Sequence, residues 1–211
     1  MCAHWVGKGA TRSAVGLDTD AAVLSWAKQH NIAPLGAAAE RVSLLKRDVL
    51  KATGQHYDVT LALNFSYCIF VQRREMLRYC RGVLGELANG GVLMMDIHGG
   101  SDLTIEVEQE IEHEGFTYRW QQQPFDAING TSTRYIHFEF PDGSKLDRAF
   151  TYHWRLWSLQ ELRDILEEAG FSAIDVYWEG ANEDGGGNGR FKKTQRADQE
   201  QSWIAYIAAW K

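Results

Sequence analysis

Proline is scarce in this chain, three residues in 211, and cysteine is equally rare. Cys2, Cys68 and Cys80 are odd in number and form no Cys-x-x-Cys pair, which argues against a disulfide framework or a zinc knuckle. A reducing compartment fits. The opening stretch MCAHWVGKGATR lacks the apolar run of a signal peptide. No uninterrupted apolar stretch approaches the ~20 residues of a membrane span. Positive charge is not in excess: 22 Lys and Arg stand against 28 Asp and Glu, a formal net charge of −6. A general nucleic-acid binder needs a basic surface to displace counterions, so that partner class is disfavoured. These absences leave a cytoplasmic protein with no membrane and no nucleic acid as expected partners. They leave the oligomeric state open.

What is present is ordinary for a globular protein: 45% hydrophobic and 24% charged residues, in a length sufficient for one α/β domain. Residues 1–8 read as a short helix, closed by Gly9. Ser13–Asp18 is an apolar run ending in an acid, as a buried strand would be. A helix is expected at Ala21–His30, capped by Thr19 or Asp20. Strands follow at Arg41–Arg47 and Tyr57–Leu63. The spacing of Arg73–Leu87 predicts an amphipathic helix stopped by Asn89-Gly90-Gly91, and Val92–Ile97 is the next strand. Strands alternating with helices argue for a parallel sheet.

The middle of the chain changes period. Phe116–Gln123, Thr133–Phe140 and Ser144–Trp154 alternate aromatic with polar residues, and Asn129-Gly130 and Asp142-Gly143 supply turn chemistry between them. This predicts a three-stranded antiparallel insertion at about residues 113–155, within a single domain spanning 1–211. Ser158 and Glu161 form the pattern of a capping box for a helix ending at Gly170. Strands are expected at Ala173–Trp178 and Trp203–Trp210, joined by a polar, glycine-rich loop.

Four features stand in a recognisable order: Val15-Gly16-Leu17-Asp18, Asp48-Val49, Asn64-Phe65-Ser66-Tyr67, and Ala88-Asn89-Gly90-Gly91 leading into Val92–Asp96. In this the chain resembles the class I S-adenosylmethionine-dependent methyltransferases, over nearly its whole length. The resemblance implies a Rossmann-like α/β fold with strand order 3-2-1-4-5-7-6 and S-adenosylmethionine as cofactor. On that map Ser13–Asp18 is strand 2. Strand 1 and its glycine-rich loop have no counterpart, and an N-terminally incomplete chain is preferred over a variant that closes the gap otherwise.

The resemblance also implies roles. Asp18, with Thr19 beside it, would accept the ribose hydroxyls; Asp48 would face the adenine amino group and Val49 its ring. Asn64 and Ser66 would hold the methionine part of the cofactor or the substrate. Tyr67 and His98 are the candidate proton acceptors, His98 because its unperturbed pKa is near neutral. Plainer readings stand beside each: a helix cap for Asp18, turn residues for Asp48 and Asn64, and a loop histidine for His98. The aromatic faces Phe116/Tyr118/Trp120 and Phe150/Tyr152/Trp154 would suit a cationic sulfonium or amine, or simply pack as a small core. His137 and Glu139, two residues apart, do not make a metal site. The expected activity is methyl transfer to a small-molecule substrate. The alternatives are an inactive methyltransferase-like protein and an NAD(P)-binding oxidoreductase, whose ribose the Asp18 position would also suit.

Overall fold

The computed structural model describes residues 1–182, 186–198 and 200–211. The chain divides into two compact units, Met1–Gly54 and Gln55–Lys211.

The first unit is a short βαβ arrangement. Helix α1 (Cys2–Gly7) precedes strand β1 (Ala14–Asp18), helix α2 (Ala21–Ala27) and strand β2 (Val42–Lys46). The strands pair in parallel, with Ala14 opposite Val42 and Asp18 opposite Lys46. Asp20 caps α2, its carboxylate accepting from the Ala22 and Val23 N–H groups at 2.7 and 3.4 Å. The helix is α-helical only to Ala27 and then widens into an i→i+5 turn over Lys28–Ile32. The Arg41 guanidinium gathers the carbonyls of Gly9 and Arg12, both at 2.7 Å, and so ties down the chain after α1.

The second unit holds two sheets. The larger runs β3-β4-β11-β9-β10, with β3 (Tyr57–Ala62), β4 (Leu87–Gly99), β9 (Ala173–Ala181), β10 (Gly187–Thr194) and β11 (Trp203–Trp210). β3 and β4 are parallel; β11 is antiparallel to both β4 and β9. The orders β2-β1 and β3-β4-β11-β9 follow the 3-2 and 4-5-7-6 parts of the expected sheet. Among the described residues β1 pairs with β2 alone and β3 with β4 alone. Helices α3 (Arg73–Glu86) and α4 (Leu159–Ala169) pack on each other and on β4 and β9. The core between them comprises Met76, Tyr79, Cys80 and Val83 of α3, Leu162, Ile165 and Leu166 of α4, and Leu93, Met95, Ile97, Ala205 and Ile207 of the sheet. The α4 capping box is formed: the Ser158 hydroxyl accepts from Glu161 N–H at 3.1 Å, and Glu161 accepts from Ser158 N–H at 3.0 Å.

Three expectations need correcting. Asn89-Gly90-Gly91 does not separate helix from strand, since β4 already begins at Leu87. The triplet is absorbed as a bulge: β4 advances from Leu87 to Val92 while β3 advances only from Tyr57 to Val59, and Gly90 takes φ +74°. The antiparallel insertion has four strands, not three. These are β5 (Val107–His113), β6 (Phe116–Gln122), β7 (Thr131–Glu139) and β8 (Lys145–Arg155), paired in that order, so it starts at Val107 rather than near 113. The polar loop after β9 contains β10, which pairs antiparallel with β9. Residues 183–185 and 199 of that stretch lie outside the described residues. Both β5 and β10 are sheet edges, where one side faces solvent and apolar alternation is weak.

Candidate functional site

In the first unit, Asp18 and Asp48 stand at the same end of the two-stranded parallel sheet. Asp18 closes β1, and Asp48 follows β2 by two residues. Each is half-buried and each spends one carboxylate oxygen locally. Oδ1 of Asp18 accepts from Asp20 N–H at 2.9 Å, and Oδ1 of Asp48 from Leu50 N–H at 2.9 Å. The second oxygen of each has no partner among the described residues. Thr19 and Val49 beside them are exposed. The unit therefore presents two free carboxylate oxygens, a hydroxyl and an apolar side chain at the carboxyl ends of its strands, where open α/β sheets bind ligands.

In the second unit, the carboxyl ends of β3 and β4 are welded by Asp96. Its carboxylate accepts from the backbone N–H of Asn64 at 2.7 Å and of Phe65 at 3.0 Å. Asn64 and Phe65 both adopt left-handed backbone, φ +57° and +53°, which costs a non-glycine residue roughly 1–2 kcal/mol. That strain persists because a charged acceptor holds both amides. Burial pushes the Asp96 pKa up, while the Phe65 and Asn64 amides pull it down; burial prevails. The Tyr67 hydroxyl donates to the Asp96 carbonyl at 2.6 Å. Burial, with the nearby Cys68 and Asp96, raises the Tyr67 pKa well above that of a free phenol, so this hydroxyl keeps its proton at neutral pH. Asn64 and Ser66 are exposed on the rim.

His98, near the end of β4, packs its ring against Phe65 at 4.1 Å between centroids and lies 6.1 Å from Trp154 of β8. Burial and the positive Arg134 lower its pKa from 6.5 to about 4. The imidazole is neutral at pH 7. The short turn Ser66–Ile69 packs against β8, so the antiparallel sheet adjoins this rim.

Sequence reasoning set Asp18, Thr19, Asp48 and Val49 at one end of the first unit's strands, and Asn64, Ser66, Tyr67 and His98 at the ends of β3 and β4. The structure places each of them there. It missed two residues. Asp96 reads in the sequence only as a strand end, yet it shapes the Asn64-Phe65 turn. Arg134 of β7 is fully buried, with its guanidinium over Trp154 at 5.2 Å and Trp120 at 5.9 Å. The register places Arg134 opposite Gln122 and Tyr152, and Ser132 opposite Trp154, so both aromatic triplets and Arg134 share one face. The aromatic face, read from sequence either as a receptor for a cation or as a small packed core, thus already holds the protein's own cation. On the sheet's other face, His137 lies 3.3 Å from Asp147, and Glu139 pairs with Lys145 at 2.8 Å. No group of three or more metal-ligating side chains occurs among the described residues. No helix among them is long and apolar enough to cross a membrane.

No protein-family model matches the chain, and no curated protein does. Solved structures do. An S-adenosylmethionine-dependent methyltransferase from Clostridium acetobutylicum is 14% identical, with a TM-score of 0.70 over 94% of this chain and 75% of that one. The CcbJ methyltransferase from Streptomyces caelestis is 14% identical, with a TM-score of 0.69 over 92% of this chain and 78% of that one. CalS10 from Micromonospora echinaspora, an amino pentose methyltransferase solved with S-adenosylmethionine bound, is 15% identical, with a TM-score of 0.62 over 96% and 76%. The chain has the fold of the class I S-adenosylmethionine-dependent methyltransferases.

Proposed function

We propose that this chain is an S-adenosylmethionine-dependent methyltransferase acting on a small-molecule acceptor. The observation that supports this reading is the class I fold, shared over more than nine-tenths of the chain with methyltransferases that include an amino pentose enzyme. Each unit, taken by itself, offers groups that suit one part of the cofactor. The free Oδ2 of Asp18 can accept a ribose hydroxyl, a charge-assisted bond worth roughly 1.5–3 kcal/mol. Thr19 borders it. The free oxygen of Asp48 can accept from the adenine amino group, with Val49 against the ring. Asn64 and Ser66 offer an amide and a hydroxyl to the amino-acid end of the cofactor or to the acceptor.

The sulfonium brings an already activated methyl group, so the protein need only align the acceptor and exclude water. His98 and Tyr67 divide that work. His98, neutral and walled by Phe65 and Trp154, offers a ring nitrogen that accepts a hydrogen bond from the acceptor's N–H or O–H and orients it. With a pKa near 4 it is a poor proton sink, so its contribution is alignment more than deprotonation. Tyr67 fixes the rim through the Asp96 carbonyl.

The test is a calorimetric titration with S-adenosylhomocysteine, with NAD as control. Micromolar binding of S-adenosylhomocysteine and none of NAD is expected. Asp18→Ala should weaken binding at least about tenfold, or ~1.4 kcal/mol. A folded chain that binds neither, or prefers NAD, would overturn the cofactor reading. Unchanged affinity in a folded Asp18→Ala variant would remove Asp18 from the site.

A further inference from the structure

The face shared by β6, β7 and β8 contains a cation with no acid to balance it. Arg134 has no exposed surface. Its Nε donates to Oε1 of Gln122 at 3.0 Å, and Nη2 reaches the Leu103 carbonyl at 3.5 Å. Nη1 is buried and has no partner. Gln122 is itself fixed, its amide donating to the carbonyls of Asp102 at 2.8 Å and Ile105 at 2.6 Å. No carboxylate pairs with Arg134 among the described residues. Its electrostatic neighbours are Cys68 and His98 of the rim, and both are neutral at pH 7. Burial brings the Arg134 pKa down to about 10, against a smaller opposing effect of Cys68.

An uncompensated buried charge is among the costliest features a protein can keep. The Trp120 and Trp154 rings offset part of the charge, but a π face leaves the Nη1 protons without an acceptor. The guanidinium is held in one orientation by a braced glutamine, between two indoles, with one donor edge left over. A donor held in this way lacks only an acceptor to balance it. The cluster adjoins the rim: Trp154 contacts both Phe65 and His98, and Arg134 lowers the His98 pKa.

We propose that Arg134 is an anion-binding residue whose free Nη1 receives the carboxylate of the small-molecule acceptor, beside the Trp154 ring that borders His98. The word acceptor rests on the methyltransferase reading; the anion site does not. A carboxylate is favoured over a phosphate because the cluster has one cation and one free donor edge, which balances a monoanion. A planar carboxylate also matches a guanidinium edge. The aromatic lining then serves the ligand's apolar part and the protein's own cation, not a sulfonium.

The probe is sodium acetate, titrated against the full chain at constant ionic strength with chloride as the balancing anion, read by tryptophan fluorescence because Trp120 and Trp154 flank the site. Inorganic phosphate is run in parallel. The wild type should show a saturable acetate response that phosphate does not reproduce. Arg134→Met keeps the length and removes the charge; it should bind acetate at least about tenfold more weakly while remaining folded, since it deletes an unpaired donor. If that variant does not fold, Arg134→Lys supplies the comparison, keeping the charge without the planar edge. No cofactor is present in this titration. Its failure therefore leaves the S-adenosylhomocysteine result standing, and the reverse also holds. A non-saturable response in the wild type, undiminished affinity in a folded variant, or preference for phosphate over acetate overturns the proposal.

Discussion

Replacing His98 should flatten the acid limb of the stability curve. In the folded chain burial and Arg134 lower the His98 pKa from 6.5 to about 4, whereas in the unfolded chain the ring titrates near its ordinary value. Between those two pH values the unfolded state binds the proton and the folded state does not. Stability from this group is therefore fully present above pH 6.5 and is lost as pH falls toward 4. The limiting slope is about 1.4 kcal/mol per pH unit, so the loss across the window amounts to about 3 kcal/mol. A wild-type curve alone cannot isolate one group in a chain with seven histidines. His98→Phe keeps a ring against Phe65 and Trp154 and removes the proton site. Urea denaturation of both chains at pH values from 4 to 8 gives the difference directly. The wild type should lose about 3 kcal/mol more than His98→Phe between pH 6.5 and 4, and the two should run parallel above pH 7. Parallel curves throughout would show that the ring is not held neutral by its surroundings, and the alignment role assigned to it would lose its basis.

Asp96→Asn should destabilise the chain by about 2–4 kcal/mol, because an amide offers one acceptor oxygen and turns a second donor toward the paired Asn64 and Phe65 N–H groups. Urea unfolding checks it, and a change under about 0.5 kcal/mol would mean that the left-handed turn needs no anchor. Gly100 and Gly90 make a contrast. At Gly100, φ is +113° and a Cβ would overlap the Gln201 carbonyl; at Gly90, φ is +74° but a Cβ would meet open space. Gly100→Ala should cost well over 2 kcal/mol and Gly90→Ala about 1, measured as differences in thermal midpoint. Equal effects would show that the backbone angle alone matters at both sites.

Much of the fold was legible because its elements carry their own punctuation. β1 ends in Asp18, β11 is an apolar run, and α4 is bracketed by Ser158, Glu161 and Gly170, so local chemistry and final structure agree. The errors fall where burial is one-sided. β5 reads VEQEIEH and β10 reads GNGRFKKT. Their strand character comes from the ladder formed with a neighbour, which no local pattern records. The bulge at Asn89–Gly91 was misplaced for a related reason. A glycine run is an effective helix stop, and only the parallel partner β3 shows that the strand had already begun.

The candidate site divides along the same line. Asp18, Asp48, Asn64 and His98 could be named because each ends a strand, and strand ends are visible in sequence. Asp96 could be named but not understood, because what it binds is main chain, and any residue type could supply those two amides. Arg134 could not be singled out at all. An arginine in an alternating strand reads as the outward, solvated member of the pattern, and here the outward reading is inverted. Ser132, Arg134 and Ile136 share a face, and that face is the one carrying Trp120 and Trp154. Recognising this requires the pairing register, since a shift by one residue would send the guanidinium to solvent and Tyr135 into the cluster. The register is set across three strands, by Gln122 opposite Arg134 and Tyr152 beyond it. The sign of the charge at the centre of the aromatic face is therefore a property of strand pairing, and composition alone left a cation receptor and a small packed core both open.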